Sequence, residues 1–216
     1  LVLIFASITW SASLGIFLGC YSAVKRNTLA DKISAILSVS FIAAPSFVVS
    51  LYSLLFFAVS LRLLPAIGAG DHGDWWDQFL HLILPAFSIG LSWVGYIARL
   101  VRASMLETMG ENHIRTAKAF GLPNRWITYR YALRLAILPT ITVIGVGMGF
   151  LLSAAVFAEI VFSRPGLGKL VIDSISTRNY PIVMGSVLVS TIIFVASTTL
   201  SDIINAILDP RIRKQL

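Results

Sequence analysis

LVLIFASITWSASLGIFLGCYSAV, residues 1–24, contains no charged side chain. At about 1.5 Å per residue, a helix of that length spans the ~30 Å hydrocarbon core of a bilayer. Four further runs share this character: residues 33–61, 79–98 (interrupted only by His81), 135–158, and 182–201 with an extension to 208. None alternates over ~10 residues as a barrel strand would. The expected fold class is therefore all-α, a polytopic transmembrane helical bundle with five spans in this chain. The second run is long enough to tilt, and Pro45 in its middle predicts a bend.

Composition agrees. Of 216 residues, 57% are hydrophobic and 12% charged, against ~45–50% and ~25% in a soluble domain. The net charge of +7 does not make nucleic acid an expected partner, because basic residues collect in cytoplasmic loops and at anionic head groups. Cys20 is the only cysteine, which excludes an intrachain disulfide and a cysteine-based metal site. The chain opens inside an apolar run with neither Met nor a basic flank, unlike a signal peptide. The expectation is that the native protein starts before this numbering.

The linkers set an orientation. Basic residues number 13 on one side of the spans, the tail with Arg211, Arg213 and Lys214 included, and 4 on the other. The positive-inside rule puts the C-terminus in the cytoplasm and Leu1 outside. Trp75 and Trp76 in the acidic outer linker suit an interfacial belt. No Gly-x-x-x-x-Gly-Lys-Ser/Thr run occurs, so this chain is not expected to bind nucleotide. Gly145, Gly147 and Gly149 point to close helix packing or a flexible pore lining. Glu159 and Asp202 stand at span ends, where snorkelling or capping accounts for them as readily as function. His72, His81 and His113 fit no short metal motif and cannot share one site, since His113 falls on the opposite side.

The linker from Arg102 to Arg134 is too long for a tight turn. Residues 105–121 are helix-forming and free of proline. Ile114, Ala117 and Phe120 fall at i, i+3 and i+6, read as one apolar stripe, with Arg115 and Lys118 on another face. Gly121 and Pro123 stop the helix. An interfacial helix on head groups and a docking helix for a cytosolic partner both fit this pattern.

The stretch NHIRTAKAFGLP, residues 112–123, followed by YALR at 131–134 and ILP at 137–139, resembles the permease signature of bacterial ABC importers. That signature is Glu-Ala-Ala, three residues, Gly, then a downstream Ile-x-Leu-Pro. Gly121 and Ala117 match it; Arg115 and Thr116 stand where the general motif has Glu and Ala, and 137–139 lacks the intervening residue. These departures are similar to the peptide and nickel permease subfamily, where Arg-Thr-Ala-x-Ala-x-Gly-Leu is usual. FSRPGLG at 162–168 with Asp173 and RNYP at 178–181 resembles that subfamily's external turn. RLVRASMLE at 99–107 resembles its approach to the docking helix, and LDPRIR at 208–213 the end of the first of its two permease subunits.

The resemblance covers the whole chain. It implies a type I ABC importer permease fold, residues 1–216 forming one transmembrane domain, with a sixth native helix ahead of Leu1. It implies a multi-pass protein of the bacterial cytoplasmic (inner) membrane, paired with a second homologous permease subunit, two cytosolic ATPase subunits and an external substrate-binding protein. ATPase coupling falls to Glu111, Ile114, Arg115, Thr116, Ala117, Lys118, Ala119, Phe120, Gly121, Leu122 and Pro123. ATP and Mg²⁺ are expected in the partner ATPases; no catalytic, cofactor or metal residue is expected here. Short peptides are the implied substrate, with nickel or a metal chelate as the alternative. Ser46, Ser153 and Ser190, polar residues of spans two, four and five, are the expected pore lining. An intramembrane enzyme would need clustered ionisable groups within the spans, and a secondary carrier repeats or intramembrane charges; the sequence has neither.

Overall fold

The computed structural model describes residues 1–208; the tail motif ending at Arg213 and its basic residues lie outside the described residues. Among the described residues all regular structure is helical. In order come α1 (Val2–Val24), α2 (Leu29–Ala43), α3 (Ser46–Ser53, continued as a π-helix over Leu54–Ser60), α4 (Trp75–Met109), α5 (Asn112–Ala119) and α6 (Asn124–Trp126). A π-helical stretch over Ile127–Ala132 then leads into α7 (Leu133–Ala136), followed by α8 (Leu138–Val161), α9 (Leu167–Ser176) and α10 (Tyr180–Leu208). Four helices are long and apolar enough to cross a membrane, and the bent pair α2–α3 makes a fifth when counted as one broken span. Phe17, Ile36, Phe150 and Met184 are among many large apolar side chains left more than half exposed, as expected where the solvent is lipid.

The most extensive contact joins α1 to α4. Ser7, Ser11, Gly15, Gly19 and Ala23 recur at every fourth position of α1, and all five are buried. Such a small-residue stripe lets two backbones approach closely. A methyl group added at Gly19 would lie 2.5 Å from the Ala98 carbonyl oxygen and 2.8 Å from Val101 Cβ; one added at Gly15 would lie 2.8 Å from Ile97 Cβ. Trp10 sits higher on the same seam, and its indole N–H donates to the Ala86 carbonyl at 2.9 Å. Contacts advance together along both chains, so α1 and α4 run parallel. On the far side, Gly145 of α8 faces Ser201 and Gly149 faces Phe194, so α8 and α10 run antiparallel. Gly147 instead admits the Trp93 ring from α4. Close packing, rather than chain flexibility, accounts for these three glycines.

Two apolar clusters stack along this frame. One joins Leu3, Ile8, Leu84, Ile89, Leu151 and Phe162. The other, around α5, joins Cys20, Ala23, Val101, Met105, Ile114 and Ile127.

Several sequence expectations need correction. The bend expected at Pro45 is present, but it is sharp enough to divide the second run into two helices meeting at 96°. Ala44 and Pro45 both adopt extended backbone, as a residue before proline tends to. The third span is longer than the apolar run at both ends. Asp74 caps it by accepting from the Trp76 and Asp77 N–H groups at 2.9 and 3.2 Å, and it continues past Arg99 and Arg102 to Met109. Residues 105–121 are not one segment, because the chain turns at Gly110–Glu111 between α4 and α5. Residues 162–181 form more than a turn: they include the ten-residue helix α9.

Candidate functional site

α5 stands at the C-terminal end of α4. Gly110 donates to the Glu107 carbonyl at 2.9 Å and Glu111 to that of Thr108 at 3.1 Å. Extended backbone at Glu111 then starts α5 in a new direction. Ile114 and Ala117 are buried against Cys20, Ala23, Met105 and Ala132. The apolar face is thus used within the chain. Phe120 does not share it, contrary to the i, i+3, i+6 reading: at ~100° per residue, i+6 lies about 120° around the helix from i. Phe120 is 81% exposed, and with Arg115, Thr116 and Ala119 it forms the outward face.

The end of α5 is closed by a Schellman arrangement. The Leu122 N–H donates to the Ala117 carbonyl at 3.3 Å and the Gly121 N–H to that of Lys118 at 2.9 Å. Gly121 takes φ +74, a left-handed conformation that glycine adopts without Cβ strain. Leu122 packs back on the cluster that seats α5, and Pro123 begins the next helix as its N-cap. Glu111 pairs with His113 at 3.0 Å; among the described residues Arg115 and Lys118 have no acidic partner. Trp126, with Arg130 stacked 5.2 Å from its ring centroid, and the exposed Tyr129 extend this cationic, aromatic surface. Sequence periodicity missed them because they lie beyond Pro123, Trp126 at the end of α6 and Tyr129 and Arg130 in the π-helical stretch that follows.

The serines separate into two places. Ser153 of α8 and Ser190 of α10 line one groove of about 420 Å³ with Phe150, Val187 and Phe194. Ser46 is not part of it; it opens α3 directly after the break. A second groove of about 460 Å³ lies on the other side of Phe150, lined by Ile42, Ser92, Trp93, Tyr96 and Thr142. Val146 and Phe150 line both, so they form a rib between the two.

At the opposite end of the bundle from α5, Glu159 is 8% exposed, not snorkelling. Its carboxylate accepts from the Lys169 backbone N–H at 3.0 Å, at the N-terminus of α9, where the helix dipole favours an anion. Arg164 donates to the His81 carbonyl at 3.4 Å. Burial pushes the Arg164 guanidinium below its ordinary range, and the nearby Glu159 carboxylate opposes that shift. The Gly68 N–H donates to the Phe162 carbonyl at 2.8 Å, tying the 61–74 linker to the α8–α9 turn. The 162–168 motif is therefore a staple holding the loops at this end of the bundle. His81 contacts Asp77, far from His113, and no group of three metal-ligating side chains occurs among the described residues. Asp202 is exposed on α10.

A family profile described as "Binding-protein-dependent transport system inner membrane component" matches residues 15–214. The glutathione transport system permease protein GsiC of Shigella flexneri serotype 5b is 34% identical over 207 residues, covering 96% of this chain and 65% of that protein. Its Escherichia coli K12 counterpart has the same identity and coverage, and that of Salmonella choleraesuis is 33% identical. The chain thus spans just under two thirds of the length of these relatives. Among solved structures, the MetNI methionine ABC transporter in inward-facing conformations superposes with a TM-score of 0.77 at 18% identity in its native crystal form, covering 96% of this chain and 92% of that one. A selenomethionine-soaked form gives 0.74 at 17%. The helical order, the seated α5 and these matches converge: the chain belongs to the family of binding-protein-dependent transport system inner membrane components.

Proposed function

We propose that the chain is a permease subunit of an ATP-driven, binding-protein-dependent importer, and that α5 receives the motion of cytosolic ATPase subunits. The observation that carries this reading is the two-faced seating of α5. Ile114 and Ala117 lock it to the bundle, while Arg115, Thr116, Ala119 and Phe120 face outward. Closure of an ATPase pair is a rigid-body movement, and a helix seated this way passes such movement on. Glu111 and the Gly121–Leu122–Pro123 turn fix its ends. Arg115, Lys118, Arg125 and Arg130 favour an acidic partner surface. The ATPases supply the ATP and Mg²⁺ chemistry; this chain is not an enzyme.

A second, homologous permease subunit completes the path on the α8–α10 side, where Ser153 and Ser190 share a groove, and residues 1–216 act as one transmembrane domain. An external binding protein delivers the substrate. Short peptides are the proposed cargo: the relatives are named for glutathione, a tripeptide. The charge distribution favours a cytoplasmic C-terminus. The test is uptake into proteoliposomes holding the full transporter with its partner subunits. ATP-driven uptake of glutathione or dipeptides is expected, and it should be lost in the Arg115→Glu/Phe120→Ala double variant at unchanged chain abundance. Uptake of nickel but not peptide would overturn the cargo. Uptake indifferent to ATP would overturn the permease reading.

A further inference from the structure

The cluster that seats α5 draws on α1, α4 and the 127–136 stretch but on no residue of α2. A displacement of α5 therefore reaches α2 only through its neighbours. Two attachments bind α2 to α4. At the first, Gly95 of α4 lies so close under the Ser38 carbonyl that no Cβ fits. At the second, Arg102 donates from Nε to Asp31 Oδ1 at 2.7 Å and from Nη2 to Oδ2 at 2.8 Å.

Asp31 is 4% exposed. Its carboxylate also accepts from the Ser22 hydroxyl of α1 and from the Asn27 backbone N–H at 2.9 Å. Asn27 sits in the α1–α2 turn at φ +65, a conformation this bond helps to hold. One carboxylate thus gathers α1, the turn, α2 and α4. Among the described residues it is the only α2 side chain hydrogen-bonded to another element.

The two attachments are in register. Ser38 and Asp31 are seven residues apart on α2, as are Gly95 and Arg102 on α4, with the helices antiparallel. Seven residues are two turns, about 10.5 Å. A single contact would allow α2 to pivot on α4; two, that far apart, fix its direction as well. A bidentate guanidinium–carboxylate pair is suited to this because it sets geometry in addition to attraction, whereas its net contribution to stability is small.

Resting on the permease reading above, we propose that Asp31 and Arg102 are positioning residues that make α2 and α4 a single lever driven from α5. Arg102 lies seven residues before α4 ends at Met109, close to the driven end. The far end of α2 is the 96° break. Beyond it, α3 holds to α4 by another contact, Ser53 to Ser88 at 3.1 Å. Because α4 holds both arms of the corner, movement at α5 carries the break along with α4, beside the groove that Ile42 lines with Trp93 and Phe150.

The test uses the complete reconstituted transporter with Cys20 replaced by alanine and spin labels at Ile36→Cys and Glu107→Cys, both exposed positions. In the otherwise native complex the label distance should agree within about 2 Å between nucleotide-free and ATP-trapped states, as a rigid element requires. In Asp31→Asn the distance should shift or broaden by more than about 4 Å, and uptake should fall roughly tenfold while ATP hydrolysis continues, the scale expected of a broken coupling element. Asp31→Glu should restore uptake to within about threefold, since it keeps a carboxylate for Arg102. Native-like uptake by Asp31→Asn would overturn the proposal. So would a nucleotide-dependent label distance in the native complex. Loss of chain abundance in Asp31→Asn without rescue by Asp31→Glu would reduce the pair to a fold-holding role. Absence of ATP-driven uptake in the native complex would strike the permease reading, and the lever with it.

Discussion

Gly19→Ala adds one methyl group to the α1–α4 seam. That group would meet the Ala98 carbonyl oxygen at 2.5 Å, Val101 Cβ at 2.8 Å and Val101 Cγ1 at 3.1 Å. A relaxed carbon–oxygen contact lies near ~3.3 Å, so the helices must part by roughly 0.8 Å at this point. Neither neighbour can rotate aside: one is backbone, and the other is β-branched and stiff at χ1. Overpacking of this kind costs about 1–3 kcal/mol. Alanine also gains about 0.8–1 kcal/mol over glycine as a helix former, which partly masks the cost. Gly185 on α10 removes the ambiguity, because a methyl group there meets nothing within 4 Å. Gly185→Ala carries the helix-propensity gain without the clash. The two variants should therefore differ by about 1–3 kcal/mol, with Gly19→Ala the less stable. Reversible unfolding of the full chain in mixed micelles, followed by far-UV circular dichroism, measures the difference. Equal stabilities, or Gly19→Ala the more stable, would refute the close-packed seam.

Three further outcomes are expected. Gly121→Ala should destabilise the end of α5 by about 1 kcal/mol through left-handed backbone strain alone, since nothing lies within 4 Å of an added Cβ; Gly121→Asn should recover part of the loss, and amide exchange across α5 reads both. Glu159→Ala removes the anion and acceptor at the start of α9 and should cost about 0.5–2 kcal/mol, seen as faster exchange of the Lys169 amide. Phe120→Ala should leave chain stability within about 0.5 kcal/mol, as for an exposed position, yet lower ATPase assembly severalfold in a pull-down from membranes.

The apolar runs and the Gly121 stop were legible because each is a local pattern. Phe120 was misread because i+6 drifts off a helical stripe, and residues 105–121 because Gly110 alone gives little warning of a turn. The spacing of Ser7, Ser11, Gly15, Gly19 and Ala23 was present in the sequence, but inside a uniformly apolar run it is easily taken for composition. The Asp31–Arg102 pair joins residues separated by 71 positions, and no periodicity reports that. Glu159 looked like an interfacial charge because its partner is a backbone amide of α9, a helix hidden within a motif read as a turn. Polarity alone singles out Ser46, Ser153 and Ser190, and it does not report position: Ser153 and Ser190 share a groove and Ser46 does not.

The break at Ala44–Pro45 bears on hydration. α2 spans 15 residues, about 22 Å from the basic Lys25–Arg26 turn, so the break falls within the depth of the acyl chains. A helix end leaves its last carbonyls, and the next helix its first amides, without intrahelical partners. Acyl chains cannot satisfy them; such backbone persists at that depth only against protein or beside water. The side of the bundle that carries the 96° corner is therefore turned toward protein or water and away from lipid, and a boundary between lipid-facing and lipid-free surfaces runs along a subunit whose side chains are apolar nearly everywhere.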